Sequence, residues 1–277
     1  MHNAKRACSE VEAGNVARSD IERLSLGTAQ FGGHYGISNT GGEIQHTDAH
    51  GIIEAAVMRG ITMVDTAPAY GEAESIVGRA LLSEPAVQIT TKLPSVGSIS
   101  FGSARSLQDA LVESLMASLQ RLARSSVDVV LVHNVEDLLG RDGLAVASAL
   151  RVIKSRGLAH RIGISAYTLE QVEEATEMFV PDVVQLPISV YDQRLIRNHG
   201  IETLSASGIE VHARSIFLQG LILMSPEAVE RKFGLAARSH QEQFHSACDD
   251  FGTTPLEVCM DFARQIVGLS RIVIGAT

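Results

Sequence analysis

Residues 61–92 read ITMVDTAPAYGEAESIVGRALLSEPAVQITTK, and this stretch decides the fold. It contains a β-branched run that ends at Asp65, a helical pattern over Glu72–Leu82, and a second β-branched run over Gln88–Lys92. Short apolar runs of this kind are typical of parallel strands that are buried on both faces. The stretch therefore predicts one β-α-β unit.

The same alternation continues in both directions from this unit. Eight strands are predicted: Leu24–Gly27, Ile61–Asp65, Gln88–Lys92, Val127–His133, Arg161–Ser165, Asp182–Leu186, Ile209–Ser215 and Arg271–Gly275. Helical patterns lie between them: Asp48–Arg59 capped by Thr47, Glu72–Leu82, a helix from a Ser106 cap to Leu122, Leu144–Arg156, Val172–Phe179 after a Thr168 cap, Gln193–Ser207, and Pro255–Val267 capped by Thr254. The polar segment Met224–Gln243 is predicted to be an irregular loop that closes over a ligand.

Eight alternating strands favour an α/β fold of the closed (β/α)8 barrel type over an open sheet. The glycines of FGGHYG (31–36) fit neither the dinucleotide-binding pattern nor the phosphate-binding loop that often marks an open sheet. No linker divides the chain. We expect residues 1–20 to be a disordered tail and residues 21–277 to form a single barrel domain.

Composition excludes several classes of function. The net charge is −9 with dispersed basic residues, which disfavours nucleic acid as a partner. No apolar run approaches the roughly 20 residues that a membrane helix needs, so no membrane association is expected. The three cysteines show neither metal-ligand spacing nor a disulfide set. We therefore expect a cytoplasmic protein that is a monomer or a weak oligomer.

Four titratable residues of different types follow three neighbouring strands: Asp65, Tyr70, Lys92 and His133. In a (β/α)8 barrel the functional site forms at the carboxyl ends of the strands, so we expect these groups to meet there. A lysine ammonium stabilises the phenolate form of a tyrosine, and a carboxylate keeps that lysine charged. An imidazole can orient and polarise a carbonyl group. Taken together, the four residues predict a proton donor aimed at a carbonyl oxygen.

Each of these residues also has an ordinary structural interpretation when it is taken alone. A single Asp at a strand end is usually a cap, and a single His is usually a hydrogen-bonded structural group. Two histidine pairs, His46 with His50 and His240 with His245, have no convincing third ligand. We interpret them as solvated or loop histidines and predict no metal site.

Several segments resemble the aldo-keto reductase superfamily in order and spacing. They include LGTAQFGGHYGISN (26–39), VDTAPAYGEAESIVGRAL (64–81), ITTKLP (89–94), SLQRLARSSVDVVLVHN (118–134) and RIVIGAT (271–277). The resemblance runs from about Leu24 to the last residue. The segment ARSIFLQGLIL (213–223) is similar to a bacterial branch of the superfamily whose substrates are often suspected to be sugars.

The resemblance implies a catalytic tetrad of Asp65, Tyr70, Lys92 and His133, with Tyr70 as general acid in reduction and general base in oxidation. It also implies NADPH, with NADH as the alternative, bound across the rim of the barrel. The residues that it places around the cofactor are Gly27, Thr28, Gln30, Ser165, Gln185, Arg214, Ser215, Phe217, Gln219 and Gly220. Ser165 and Gln185 would bind the carboxamide, although Gln185 could instead bond to the backbone.

The sequence departs from the family pattern at three places. Ala166 stands where many members have an asparagine that contacts the carboxamide, and Arg214 stands where many have a tyrosine on the nicotinamide. Arg214 could stack on that ring, bind an anionic substrate, or form a surface ion pair. Members also continue past strand eight into a loop and a helix, whereas this sequence stops at Thr277. We therefore expect a barrel without its final helix, and either a truncated chain or weaker cofactor binding.

The leading hypothesis is an oxidoreductase that reduces an aldehyde or ketone, or oxidises a sugar-like alcohol, with a nicotinamide cofactor. The alternative is a cofactor-binding barrel with weak or no catalysis. A third hypothesis, a metal-dependent lyase, is disfavoured because the sequence has no H-x-H motif or clustered carboxylates.

Overall fold

The computed structural model describes residues 18–33, 35–39, 42, 44–99 and 106–276. Residues 1–17 of the predicted tail lie outside this part of the chain. Residues 18–20, the last of the predicted tail, belong to helix α1, which spans Arg18–Glu22. The Asp20 carboxylate accepts a hydrogen bond from Arg264 at 3.0 Å, so this end of the chain is attached to the barrel.

The strands of the described residues form one closed, entirely parallel barrel in the order β1 to β8. Their bounds are β1 Leu24–Gly27, β2 Met63–Asp65, β3 Gln88–Leu93, β4 Val127–Val132, β5 Ala159–Ser165, β6 Val183–Pro187, β7 Glu210–Arg214 and β8 Leu269–Gly275. The barrel closes where Gly27 of β1 lies opposite Gly275 of β8. The predicted (β/α)8 fold and its eight strand positions are confirmed.

The helices of the described ranges surround this barrel. Their bounds are α1 Arg18–Glu22, α2 His46–Met58, α3 Ala73–Ala80, α4 Leu107–Arg121, α5 Glu136–Leu139, α6 Gly143–Ser155, α7 Leu169–Met178, α8 Arg194–Arg197, α9 Gly200–Ala206, α10 Pro226–Phe233, α11 Leu235–Asp250 and α12 Pro255–Gln265, with short 3-10 turns at Val96–Ser98 and Leu221–Leu223. None of these helices combines the length and the apolar character required to cross a membrane.

Local capping explains where several helices begin. The Ser106 hydroxyl accepts from the backbone N–H of Asp109 at 3.1 Å. Thr168 and Thr254 each form a capping box with the residue three positions later. These interactions satisfy N–H groups that have no partner within the first helical turn. The predicted caps Ser106, Thr168 and Thr254 are confirmed.

Two helix predictions were wrong in detail. Helix α2 begins at His46, with Gln45 rather than Thr47 as its N-cap residue. The predicted helix Gln193–Ser207 is divided into α8 and α9, because His199 adopts a left-handed conformation with φ of 52°. A left-handed residue cannot continue a right-handed helix, so the chain must start a new one.

The predicted loop over Met224–Gln243 instead forms α10 and most of α11. Ser225 caps α10 through the Ala228 N–H, Pro226 occupies its first turn, and Gly234 separates the two helices with φ of 86°. The apolar pattern was weak because α10 buries Val229 and α11 buries only Gln241 and Cys248. Both helices are largely solvated, and hydrophobic periodicity therefore did not reveal them.

Side chains alternate between the barrel interior and the layer beneath the helices. Along β7, Val211 and Ala213 join the main apolar core that lies between strands and helices. Residues Glu210, His212 and Arg214 therefore face the barrel axis. A small separate cluster of Met63, Val129, Leu131 and Val183 fills the centre of the barrel. The interior is thus packed, and open space is left to the rims.

A polar network closes the amino-terminal end of the barrel. Glu210 pairs with Arg161 of β5 and accepts a hydrogen bond from the buried His212 ring at 2.9 Å. Burial alone would raise the pKa of Glu210, but the hydrogen bond and charge of His212 and the charge of Arg161 outweigh it. The pKa of this carboxyl is consequently lowered to about 2.

We predict that Glu210→Gln lowers the free energy of unfolding by about 2 kcal/mol at pH 7, since Arg161 loses its anionic partner. The folded-state pKa is depressed, so the stabilisation is present above the unfolded value and is lost as pH falls toward 2. Urea unfolding at pH 7 and pH 3.5 measures both effects. Glu173→Gln, at an exposed helix position, is the matched control; equal stabilities of the two variants would contradict the prediction.

Candidate active site

The four residues predicted to meet at the carboxyl rim do meet there. Asp65 ends β2 and lies beside Thr90 of β3, and Lys92 follows two positions later on the same strand. The Lys92 Nζ lies 2.5 Å from the Asp65 Oδ1 and 3.0 Å from the carbonyl oxygen of Thr66. Both side chains are almost completely buried. The predicted lysine–carboxylate pair is therefore present.

Tyr70 and His133 complete this group. The Tyr70 ring centroid lies 5.3 Å from the Lys92 Nζ and 5.7 Å from the centroid of the His133 ring. The two rings are almost perpendicular, with an interplanar angle of 89°. A phenol, an ammonium and an imidazole thus face the same small space.

Electrostatics give Lys92 and His133 definite protonation states. Burial opposes the charged form of Lys92, but the Asp65 carboxylate and Tyr70 outweigh it and raise the lysine pKa. Burial and the positive charge of Lys92 lower the pKa of His133 to about 4, with Arg214 acting in the same direction and Asp65 opposing it. Near pH 7 the lysine is therefore an ammonium and the imidazole is neutral.

A close backbone contact positions the turn that carries Tyr70. A Cβ added at Gly32 would lie 1.8 Å from the Tyr70 carbonyl oxygen, and one added at Gly71 would lie 2.0 Å from the Gly32 carbonyl oxygen. Gly71 also has φ of 56°, a conformation that favours glycine. The loop after β1 and the turn after β2 can approach this closely only because both residues lack a side chain.

A buried acid on α3 attaches the same turn to β3, and the sequence analysis did not identify it. Glu74 is fully buried and accepts from the Thr91 hydroxyl at 2.6 Å and from Arg121 at 2.7 Å. Thr91 precedes Lys92, and Glu74 begins the helix that follows the Tyr70 turn. These bonds therefore restrain the phenol relative to the ammonium.

The residues expected around a cofactor lie on the same rim, but one has an additional partner. The Gln185 amide nitrogen donates to the Asp65 Oδ2 at 2.8 Å, so this residue is bonded to the predicted tetrad and not to the backbone. The Thr28 hydroxyl donates to the Asp65 carbonyl oxygen at 3.1 Å. The Ser165 side chain forms no hydrogen bond with the described residues, and its hydroxyl is available to a ligand.

Gly27 and Gly275 allow neighbouring side chains to approach closely at the part of the rim where β1 pairs with β8. A Cβ at Gly27 would lie 3.0 Å from Val273, and a Cβ at Gly275 would lie 3.0 Å from the terminal atoms of the Gln30 side chain. The Gln30 side chain consequently lies beside the junction of β1 and β8.

The loop after β7 offers unused hydrogen-bond donors. Ser215, Leu218, Gln219 and Gly220 all have positive φ, between 48° and 86°. Within the described chain, the backbone N–H groups of Ile216, Phe217 and Gln219 have no acceptor. A residue of the loop after β1 holds this loop in place, because the Ile37 N–H donates to the Gln219 carbonyl oxygen at 2.9 Å. Successive N–H groups of this kind form a concave site suited to phosphate oxygens.

Arg214 and two tyrosines border the same opening. The Arg214 guanidinium carbon lies 4.5 Å from the centroid of the Tyr167 ring, and Nη2 donates to the Ala166 carbonyl at 3.3 Å. Tyr35 lies 6.4 Å from Tyr70, centroid to centroid. The sequence analysis missed Tyr35 and Tyr167 because both are in loops, where no periodic pattern indicates direction.

The described residues contain no group of three or more His, Cys, Asp or Glu side chains placed to bind a metal ion. His46 and His50 lie on α2, and His240 and His245 lie on α11. Of the two predicted alternatives, the loop location is wrong, since each pair belongs to a helix, whereas His46 and His240 are exposed to solvent as the other alternative expects.

We predict that Gly32→Ala lowers kcat at least about 10-fold, because the new methyl group would displace the Tyr70 turn. Gly33→Ala is the matched control, since a Cβ at Gly33 meets no atom within 4 Å. Thermal unfolding and steady-state kinetics of both variants measure the effect. Equal activities of the two alanine variants would contradict the proposed steric constraint.

We also predict that His133 makes stability depend on pH between 4 and 6.5. Its folded-state pKa of about 4 lies below the usual value, so the unfolded chain binds more protons in this window, and stability decreases as the pH is lowered. When the pH is lowered from 7 to 4.5, the free energy of unfolding of the wild type should fall by about 2 kcal/mol more than that of His133→Gln. His160→Gln, at an exposed position, should retain the wild-type slope in urea unfolding.

The model of the Aldo/keto reductase family matches residues 23–277. The chain is 33% identical to D-arabinose 1-dehydrogenase of Saccharomyces cerevisiae over 125 residues, which cover 43% of this chain and 36% of the relative. It is 29% identical to the NADH-specific methylglyoxal reductase of Escherichia coli over 73% of this chain and 65% of the relative. The matched region thus spans less than two thirds of either relative.

A similar barrel occurs in solved structures. The glycerol dehydrogenase of Gluconobacter oxydans superposes with a TM-score of 0.67 and 22% identity, covering 92% of this chain and 82% of that one. At this level of identity the superposition supports the fold, and it carries no information on the substrate.

Proposed function

The chain belongs to the aldo/keto reductase family of oxidoreductases, and on this basis we propose that it reduces a small polar aldehyde or ketone, or oxidises the corresponding alcohol. The observation that carries the proposal is the buried contact between Lys92 Nζ and Asp65 Oδ1, with Tyr70 and His133 facing the same ammonium. The relatives support the substrate class, since their names specify methylglyoxal and D-arabinose.

Tyr70 is the proposed proton donor in the reduction. Its hydroxyl proton passes to the carbonyl oxygen of the substrate, and the resulting phenolate is stabilised by the Lys92 ammonium 5.3 Å from the ring centroid. Asp65 holds that ammonium through Oδ1, while Gln185 occupies Oδ2. In the oxidative direction the phenolate of Tyr70 takes the proton back from the alcohol.

His133 orients the substrate in this proposal and does not act as an acid. Its lowered pKa keeps the imidazole neutral at pH 7, so one ring nitrogen can donate a hydrogen bond to the carbonyl oxygen. A neutral donor polarises the carbonyl without competing with Tyr70 for the proton transfer.

The residues of the rim fit a nicotinamide dinucleotide, which supplies or accepts the hydride when bound. Ser165 and the free side of the Gln185 amide would contact the carboxamide. Gly27, Thr28 and Gln30 would border the ring, and Arg214 lies beside that end of the site. The unused N–H groups in the loop Ser215–Gly220, which contains Phe217 and Gln219, would bind the phosphates. We propose NADPH, with NADH as the alternative in view of the name of the E. coli relative.

We predict that Tyr70→Phe lowers kcat by about 100- to 10,000-fold, as expected for loss of a general acid, and leaves nucleotide affinity nearly unchanged. Tyr35→Phe is the matched control, since it removes a phenol 6.4 Å away and should cost far less. Turnover is measured with methylglyoxal and D-arabinose, and NADPH and NADH binding by fluorescence titration. Full activity of Tyr70→Phe would refute the proposal, and nucleotide binding without turnover by the wild type would favour a non-catalytic barrel.

A further inference from the structure

Arg214 is a cation at the rim without an anionic partner. It forms no ion pair with any Asp or Glu of the described ranges, whereas Arg161, nearer the amino-terminal end of the barrel, pairs with Glu210. Its hydrogen bonds use two of the five guanidinium donors, with the Ala166 carbonyl at 3.3 Å and the Ser215 hydroxyl at 3.4 Å as acceptors. The surface ion pair considered from the sequence is therefore absent, and most of the guanidinium edge is unused.

The direction of Arg214 places its charge in the reaction space. It shares the inward face of β7 with His212, and Ser215 turns the chain away with φ of 60°. The guanidinium is near enough to His133 to add to the lowering of that imidazole's pKa, after burial and Lys92. It also counters the effects of burial and Tyr70, which raise the pKa of Tyr35. His133 and Tyr35 both lie at the end of the site that contains Tyr70.

The other titratable groups described at the rim do not neutralise the charge of Arg214. Asp65 and Lys92 neutralise each other at 2.5 Å, and His133 is neutral near pH 7. One net positive charge therefore remains at the opening, in a chain whose net charge is −9. A partly buried guanidinium is costly to leave without a hydrogen-bonded anion, so its placement favours an anionic ligand.

Tyr167 restrains the guanidinium. The Arg214 Cζ lies over the Tyr167 ring at 4.5 Å from its centroid, a distance typical of a cation–π contact, so the ring limits the movement of the guanidinium. An arginine restrained in this way is suited to bidentate binding of a planar carboxylate or of phosphate oxygens.

We propose that Arg214, supported by Tyr167, binds an anionic group of the substrate, so that the enzyme acts on carbonyl compounds bearing a carboxylate or a phosphate. This inference rests on the proposed function and specifies its substrate class. The two anion sources share the same recognition chemistry, and separate arms of one experiment distinguish them.

The test is calorimetric titration of the full chain, saturated with whichever nucleotide binds more tightly. The probes are succinate against succinamide, and glycerol 3-phosphate against glycerol. We expect one anion to bind at least about 10-fold more tightly than its neutral counterpart, as for charge-assisted hydrogen bonds. Arg214→Met should abolish that preference, and Arg214→Lys should retain part of it. Arg197→Met removes an exposed positive charge on α8 and should retain the full preference.

Equal binding of charged and neutral probes, or a preference that survives Arg214→Met, would overturn the inference. An anion preference that is present without nucleotide and lost at saturating nucleotide would also overturn the inference, because Arg214 would then bind the phosphates of the cofactor. Turnover provides an independent readout: Arg214→Met should lower the ratio of kcat/KM for succinic semialdehyde over butyraldehyde, or for glyceraldehyde 3-phosphate over glyceraldehyde, by about 10- to 100-fold.

The outcomes separate this inference from the proposed function. Turnover of neutral aldehydes without any anion preference would leave the proposed function intact and refute the anion site. Anion binding that depends on Arg214, without turnover of any carbonyl compound, would support the site and refute the reductase.

Discussion

The buried pair of Lys92 and Asp65 is the interaction on which the rest of the site depends. Two charges removed from water are stable only if each is paired and its remaining hydrogen-bonding capacity is satisfied. The Thr66 carbonyl oxygen accepts from Lys92, and the Gln185 amide donates to Asp65. Strands β2, β3 and β6 are thereby linked across the rim through one carboxylate, and any group beside the ammonium experiences a fixed positive charge.

Backbone packing brings the reactive phenol to that charge. Tyr70 is on a turn and not on a strand, so the barrel alone would not define its position. The contact between Gly32 and Gly71 determines how closely the turn approaches the first loop, and Glu74 connects the following helix to Thr91. A steric constraint and a buried hydrogen bond therefore act together on a single side chain.

The distribution of charge then divides the rim into two parts. Asp65 and Lys92 cancel, and the same ammonium together with burial keeps His133 neutral. Arg214 is left as the excess charge, and the unpaired N–H groups after β7 lie along the next loop. The groups proposed for proton transfer and those proposed to bind anions are consequently neighbours that come from different parts of the chain.

The sequence by itself determined the barrel, because β-branched runs and helical patterns alternate along the chain, and it placed Asp65, Lys92 and His133 at or beside strand ends. It failed where a helix depends on one left-handed residue, as at His199, or buries few side chains, as over α10 and α11. Only the tertiary structure decided that Gln185, 120 positions away, bonds to Asp65, and that Tyr167 stacks on Arg214. Those contacts join separate strands and loops across the barrel mouth, and spacing along a chain carries no information about such distances.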